Sequence, residues 1–463
     1  MKPDLLLTHG YFLHEDPKEL QIMKPYVPMG MLYLCSHLRA KGFAVDVFDT
    51  TFASRADLYS SLKTSSPSVL GIYANLMTRP NVVEIIREAK ACGWKVIVGG
   101  PEPGAYAQEY LASGADVVVV GEGERTLEEL LPALQAHAAL DSIAGIAYLD
   151  ETRTVQTTAP RGQIEDLDGQ PWPARESVDI GQYLATWRKA HGQGSVSFIT
   201  ARGCPYKCQW CSHQVFGHSH RRRSASKVVD EVEWIVNRYS PEMVWVADDV
   251  FTIHHGWLKQ YASEMRARSL HIPFECISRA DRINEEVADT LAELGCFRLW
   301  IGSESGSQRI LDAMQRGVTV AQVQNAMKLL RERGIQTGMF LMWGYEGESL
   351  DDIELTVEHV KASDPDIFFT TVAYPIQGTP YHKAVADRLV QLKPWATGSD
   401  REIQIQGRHS KAYYQHADRL LKSEVELARA RRQGIARAAA ENLEQQIQVA
   451  RQGLHASFDE VEA

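Results

Sequence analysis

Three of the seven cysteines fall within eight residues, in the run Cys204-Pro205-Tyr206-Lys207-Cys208-Gln209-Trp210-Cys211. Three thiolates on one loop at Cys-x-x-x-Cys-x-x-Cys spacing can ligate three irons of a 4Fe–4S cluster and leave the fourth iron open. A tetrahedral zinc site would need a fourth ligand, such as His213, and this spacing is less usual for zinc. Cys35, Cys92, Cys276 and Cys296 are scattered through apolar segments and read as small buried hydrophobes. An odd cysteine count without a secretion signal argues against a disulfide framework.

The cysteine run directly follows an apolar strand, Ser195–Thr200, the first of six strand–helix steps between residues 193 and 385. The later strands read as Met243–Ala247, Glu275–Ser278, Arg298–Ile301, Thr337–Met342 and Ile367–Ala373. Six such steps suit a partial parallel barrel with its chemistry on loops at one rim, and an open sheet fits the same periodicity. Upstream, short strands at Asp4–Thr8, Ala44–Phe48, Val69–Tyr73, Lys95–Val98 and Asp116–Val120 alternate with helices. That alternation predicts a doubly wound parallel sheet, which takes ligands beyond the carboxyl ends of its strands. Residues 141–192 break the rhythm with a small hairpin and a Pro-containing stretch, and read as a linker. The expected organisation is therefore α/β: a first domain at 1–140, the linker, a barrel domain at 193–390, and a helical region at 391–463 interrupted near Gly434.

Composition narrows the function class. The 463 residues are 44% hydrophobic and 23% charged, which excludes a disordered chain and a disulfide scaffold. Lys and Arg number 49 against 59 Asp and Glu, a net charge of −10 that suits neither nucleic acid nor an anionic membrane. No apolar run reaches membrane-spanning length, and the run after Met1 is too short for a signal-peptide core. A soluble cytoplasmic protein is expected. The dense basic run Arg221-Arg222-Arg223 reads as a solvated turn, with a patch for a phosphate or carboxylate substrate as the alternative, and Tyr413, Tyr414 and His416 read as a packing stripe on a helix, with closure of the barrel mouth as the alternative.

The run Ile199 to Cys211 resembles the cluster loop of the radical S-adenosylmethionine superfamily. The resemblance implies a 4Fe–4S cluster on Cys204, Cys208 and Cys211, whose open iron chelates S-adenosylmethionine. Reductive cleavage of the sulfonium then yields a 5′-deoxyadenosyl radical. It further implies S-adenosylmethionine contacts at successive strand ends. Trp210 lies near the adenine. Asp248 and Asp249 could receive the ammonium group, or cap a helix. Arg279 could neutralise the methionine carboxylate, or pair with Asp281. Glu304 is a candidate for the ribose diol, a good partner for a carboxylate. Met342 to Glu348 looks like the family's Gly-x-Pro-Gly-Glu segment, and Tyr374 to Pro380 like the end of its sixth strand.

Residues 1–140 resemble the cobalamin-binding domain found upstream of many radical enzymes, through Pro28 to Leu34, Val98 to Pro101 and Val120 to Glu124. This implies cobalamin contacts from Gly99, Gly100 and Glu122, with Asn75 and Leu76 beneath the corrin and His9 facing the ligand or capping a loop. The Asp-x-His-x-x-Gly motif that supplies an axial His elsewhere is missing, because Asp49 is followed by Thr50-Thr51-Phe52-Ala53. Together the resemblances point to the class B radical methyltransferases and the anaerobic magnesium-protoporphyrin monomethyl ester cyclase group. They imply methylation of an unactivated carbon of a small molecule, with electrons from a flavodoxin- or ferredoxin-type donor. Oxidative cyclisation is the alternative. A non-catalytic cobalamin or redox sensor is a third reading, although a sensor needs no open iron.

Overall fold

The computed structural model describes residues 2–434 and 437–462; Met1, at the head of the run weighed as a leader, lies outside them. The chain divides into two compact units, one of Met1–Pro205, Ser212–Ala247 and Lys393–Asp400, the other of Tyr206–Cys211, Asp248–Leu392 and Arg401–Ala463. No helix among the described residues is long and apolar enough to cross a membrane.

The first unit begins with β1 (Leu5–His9), α1 (Pro17–Ile22), α2 (Met29–Ala40), β2 (Val45–Phe48), α3 (Arg55–Thr64), β3 (Val69–Tyr73) and α4 (Arg79–Ala91). It continues with β4 (Lys95–Gly99), α5 (Ala107–Ala112), β5 (Val117–Val119), α6 (Glu124–Gln135), β6 (Ile146–Leu149), β7 (Val155–Thr157) and α7 (Ile180–His191). One sheet runs β2-β1-β3-β4-β5-β6-β7, with β1 to β5 parallel and the last two strands antiparallel. Successive strand residues point to opposite faces. Leu70, Ile72, Val96 and Val98 accordingly enter one core with Val82, Ile86 and Trp94, while Val69 and Ile97 enter another with Met31, Leu38 and Leu130. Helices thus bury both faces, as a doubly wound sheet requires. Residues 141–192, read as a linker, hold β6, β7 and α7, and the hairpin pairs onto β5 to extend the first sheet. An apolar strand with an unpaired edge at β5 favours that addition. The strand order reverses between β1 and β3, so the carboxyl ends of these two strands form the ligand crevice of the topology.

The same unit then carries β8 (Ser195–Phe198), β9 (Ala201–Arg202), β10 (Arg221–Arg222), α8 (Ala225–Tyr239) and β11 (Met243–Val246). β8 and β11 pair in parallel, and β9 and β10 antiparallel. Lys393–Asp400 belongs here because a buried ion network holds it. Arg79 donates to Glu102 at 2.6 Å and to Asp400 at 2.5 Å, and the Tyr106 hydroxyl donates to Asp400 at 2.8 Å. Trp395 packs edge-on against Tyr110, with ring centroids 4.8 Å apart.

The second unit holds α9 (His255–Ala267), β12 (Phe274–Ser278), α10 (Glu285–Glu293), β13 (Cys296–Glu304), α11 (Gln308–Ala313), α12 (Val320–Arg331) and β14 (Gln336–Trp343). After these come α13 (Leu350–Ser363), β15 (Ile367–Val372), α14 (Pro380–Ala384), the β16 and β17 pair (Leu389–Val390, Gln404–Ile405), α15 (Lys411–Gln433) and α16 (Arg437–Ala456). β12, β13, β14 and β15 pair in parallel in that order. α15 ends at Gly434, which takes the left-handed conformation that favours glycine, and then packs against α16.

Candidate functional site

The cysteine loop leaves β9 through Gly203, at φ 84°. A Cβ there would lie 2.5 Å from the Ser219 carbonyl oxygen, so only glycine makes this turn. Cys204 is half-buried, Cys208 buried and Cys211 exposed. Within the second unit the middle of the loop is tied down. Gln209 N–H donates to the Met314 carbonyl at 3.1 Å, and Tyr381 N–H donates to the Gln209 carbonyl at 2.9 Å. Trp210 is partly buried against the apolar cluster that contains Ile310, Met314, Met342 and Tyr381. Among the described residues no three His, Cys, Asp or Glu side chains are drawn together as a metal-binding group. Donor type and spacing on one loop, rather than a preformed group, are what mark this loop as the candidate cluster position.

Two guanidiniums converge on Cys208. Arg316 Nη1 lies 3.8 Å and Arg279 Nη1 4.0 Å from its sulfur. N–H contacts to a sulfur that ligates a cluster are the outer interactions that would tune it. Arg279 is only 2% exposed. It makes the pair expected as the alternative: its Nε donates to Asp281 at 2.9 Å, while its face lies 3.6 Å over the Tyr206 ring. Arg316 and Tyr206 were not singled out from the sequence. No local signal marks Arg316 in the sequence; it stands between α11 and Gly317, whose φ of 66° makes a sharp turn.

Glu304 sits at a register shift between β13 and β14, with φ at 63°. A non-glycine residue in this region is strained, and such strain clusters at functional sites. The fold turns the carboxylate back over Gly302, where a Cβ would meet Glu304 Oε1 at 2.5 Å and Arg316 Nη2 at 2.8 Å. Burial raises the Glu304 carboxyl above its ordinary range against the opposing pull of Arg316 and Arg279. Asp248 is buried and Asp249 carries an exposed side chain. Partial enclosure and the neighbouring Asp248 charge raise the Asp249 carboxyl. An adjacent acidic pair of this kind suits a cation. Tyr374 is half-buried beneath Arg401, 5.4 Å from its ring.

The loop after β14 adds a buried acid. Gly344 N–H donates to Glu348 Oε2 at 2.6 Å, and burial pushes the Glu348 carboxyl up to about 8. A Cβ on Gly344 would strike Tyr414 Cζ at 2.7 Å, so α15 lays Tyr414 directly on this loop. The C-terminal tyrosines are buried, as a packing stripe requires.

At the carboxyl end of the first sheet the expected residues are largely occupied by protein. His9 is buried, with Nε2 2.9 Å from Asp49 Oδ1 and Nδ1 accepting from Tyr11 N–H at 3.2 Å. The Tyr183 hydroxyl donates to Asp49 Oδ2 at 2.7 Å. Burial would raise the Asp49 carboxyl, but the bonds from His9, Thr51 and Tyr183 outweigh it and hold it below the ordinary range. Both His9 nitrogens are therefore engaged. Asn75 Oδ1 accepts from Met77 N–H at 3.0 Å and Thr78 N–H at 3.1 Å, a turn that holds Leu76 half-buried and Met77 exposed. Gly99 has only Val119 near its Cβ direction, at 3.6 Å, so its backbone can be approached. Gly100 is required for another reason: at φ 117° its Cβ would meet the Ala74 carbonyl at 2.4 Å.

Glu122 is enclosed by arginines. Arg202 donates to its Oε1 at 2.7 Å, and Arg221 and Ile164 N–H donate to its Oε2, each at 2.8 Å. Arg202 also pairs with Glu124 at 2.7 Å, and Arg223 pairs with buried Glu231. The run Arg221–Arg223, expected as a solvated turn, instead starts in β10 and sends Arg221 and Arg223 to buried carboxylates. Paired charges of this kind are how a dense basic run is buried.

Residues 198–360 match the Radical SAM superfamily and residues 22–131 the B12 binding domain. An uncharacterized methyltransferase of Pyrococcus horikoshii is 30% identical over 383 residues, covering 80% of each chain. The anaerobic magnesium-protoporphyrin IX monomethyl ester cyclase of Cereibacter sphaeroides is 26% identical over 393 residues, covering 80% of this chain and 62% of the cyclase. The solved structure of the cobalamin-dependent S-adenosylmethionine radical enzyme OxsB, with aqua-cobalamin and S-adenosylmethionine bound, is similar at a TM-score of 0.74 and 17% identity. That match covers 97% of this chain and 71% of OxsB, and at this identity the likeness is one of fold. The fold expected from the sequence is the fold found: a doubly wound sheet of the cobalamin-binding type, a partial (β/α)6 radical S-adenosylmethionine barrel and a helical C-terminal region.

Proposed function

Because the chain belongs to the radical S-adenosylmethionine enzymes that carry a cobalamin-binding domain, we propose that it methylates an unactivated carbon of a small-molecule or natural-product substrate. Its cofactors are S-adenosylmethionine, a 4Fe–4S cluster and cobalamin. When bound, these supply a low-potential electron, a carbon-centred radical and a methyl donor.

The chain's own residues bind and orient. Cys204, Cys208 and Cys211 hold the cluster, and Arg279 and Arg316 direct N–H groups at the Cys208 sulfur. Glu304, fixed over Gly302 beside Arg316, receives the ribose hydroxyls, and Asp248 with Asp249 receives the ammonium group. Trp210 anchors the loop so that its backbone meets the adenine, with Tyr374 at the end of the sixth strand completing the rim. In the first unit Gly99, Asn75 and Leu76 border the corrin. His9 stays with Asp49 and would not be the residue that ligates a bound cobalamin. Glu122 and Gly100 hold the surrounding backbone rather than the ligand.

The observation that carries methyl transfer over cyclisation is extent of likeness. The chain matches 80% of the methyltransferase relative's length and 62% of the cyclase's. Oxidative cyclisation is the second reading, favoured by the cyclase likeness itself. We place the enzyme in the cytoplasm, with a flavodoxin- or ferredoxin-type reductant. The test is anaerobic turnover with methyl-labelled S-adenosylmethionine and candidate substrate pools. Label recovered on carbon in a product supports methylation. Loss of hydrogen from the product without label gain supports the cyclase reading. No cleavage of S-adenosylmethionine under reducing conditions overturns both and leaves a sensor.

A further inference from the structure

The parallel strands β13 and β14 pack on helix α12, and β13 also on α10. Register pairs Trp300 with Gly338 and Phe340 with Phe369. Residues paired in this way point to the same side of a sheet, and residues two apart share a face. Leu299, Ile301, Met339 and Leu341 are buried on the helix side. Trp300, Phe340 and Phe369 therefore stand together on the other side. Their rings are nearly parallel: Trp300 and Phe340 lie 5.1 Å apart at 16°, Trp300 and Phe369 5.5 Å apart at 12°, Phe340 and Phe369 6.4 Å apart at 22°.

The arrangement is built rather than incidental. A Cβ on Gly338 would come within 2.2 Å of the Trp300 indole, so a glycine there lets the ring lie flat across the neighbouring strand. The indole N–H donates to Glu275 Oε2 at 3.1 Å, and Arg298 donates to the same oxygen at 3.2 Å. The ring is thus fixed in rotation and its acid partner is neutralised. Packing alone would close the stack, yet Phe369 at its outer edge is 56% exposed. The platform is also continuous with the candidate site. Two residues above Trp300 on this face is Gly302, beneath Glu304 and Arg316. Two above Ile277, the β12 partner of Trp300, is Arg279, which reaches Cys208. One such step is about 7 Å along a strand.

We propose that Phe369, 56% exposed and backed by half-buried Phe340 and buried Trp300, is the face of an aromatic platform on which the substrate lies, and that the substrate class is a planar aromatic or conjugated ring compound. This rests on the methyltransferase reading above and adds the substrate to it. Parallel, rotationally fixed rings favour offset stacking by a further π system over an aliphatic chain of equal area. The paired charges at Glu275 and Arg298 leave no net charge under the rings to select an ionic group there.

The test uses anaerobic holoenzyme and two probes matched in charge and carbon skeleton, 2-naphthoate and its decahydro analogue, followed by calorimetry. Naphthoate is expected to bind about five- to tenfold more tightly than the saturated analogue. Phe369→Leu should remove most of that preference, because it keeps apolar area and loses the π face. Phe369→Ala should weaken both. Iron content and thermal midpoint of each variant establish that it is folded. Equal affinity for the two probes, absence of binding by both, or a preference untouched in Phe369→Leu would each overturn the proposal. Cleavage of S-adenosylmethionine by the wild-type holoenzyme is measured alongside. Its absence counts against the methyltransferase reading, whereas a cleaving enzyme without probe discrimination counts against the platform alone.

Discussion

The carboxyl ends of the first sheet and the rim of β12 to β15 treat polar side chains in opposite ways. At the first sheet His9, Asp49, Asn75 and Glu122 have their hydrogen-bonding capacity taken up by protein partners at 2.7–3.2 Å. At the rim Glu304 has Arg316 at 3.7 Å, Asp249 faces a second carboxylate, and both carboxyls are raised above their ordinary range. Satisfied buried polar groups hold a backbone in place, while raised, weakly partnered ones mark where a ligand is to be held. The contrast teaches that the first unit uses these polar side chains to hold its own loops, whereas the rim keeps carboxylates that are weakly partnered.

The largest expected effect breaks the charged side outright. Cys204→Ala, Cys208→Ala or Cys211→Ala should remove a cluster of about four irons and abolish reductive cleavage of S-adenosylmethionine. Iron analysis and 5′-deoxyadenosine release check this, and a variant that still cleaves would remove its cysteine from the ligand set.

A second change keeps the cluster and removes one contact. Glu304→Gln should weaken S-adenosylmethionine binding by roughly 10- to 100-fold, equivalent to about 1.5–3 kcal/mol for a charge-assisted hydrogen bond. The iron content should not change. An unaltered dissociation constant by calorimetry would move Glu304 to a structural role and weaken the contrast.

The third sharpens the other side. With both nitrogens of His9 engaged, bound Co(II) cobalamin should show no nitrogen superhyperfine splitting from protein, as read by electron paramagnetic resonance. His9→Ala should leave that spectrum alone and lower stability by about 1–3 kcal/mol, the cost of leaving Asp49 and its neighbours short of a partner. Splitting that disappears in His9→Ala would show instead that this histidine leaves Asp49 for the metal.

The smallest effect is a pH dependence. The unfolded chain releases the Glu348 proton near the ordinary carboxylate value, whereas the folded chain holds it up to about 8. Glu348 therefore contributes stability below the ordinary value that is lost as pH climbs to about 8. The thermal midpoint of the wild type should fall more between pH 5 and pH 8 than that of Glu348→Gln, to an extent of a few degrees. Parallel curves would mean that Glu348 is already ionised in the folded protein.

How much of this was legible without coordinates differs by residue. The cysteine loop was readable because its chemistry depends on residue type and spacing within a few positions. The strands were readable because burial imposes a period of two on them and covering helices impose a period near four. Arg279, Glu304 and Asp249 were named because the segments that carry them resemble the strand ends of the radical S-adenosylmethionine family. Arg316 was not named, since nothing local distinguishes an arginine after a short helix from one in solvent. It acquires meaning only when the turn at Gly317 carries it to Cys208.

The sequence by itself determined the alternation of strands and helices and the thiol spacing of the cysteine loop, because periodicity and spacing are local properties of the chain. Only the tertiary structure decided which polar residues are spent. Glu122 and Arg221 are 99 positions apart and Arg79 and Asp400 are 321 apart, yet each pair is in contact. Whether a carboxylate meets an arginine or stays available depends on such distant partners. The same holds for Trp300, Phe340 and Phe369, whose shared face follows from strand register, and register is fixed by which residues the helices bury rather than by neighbours in the chain.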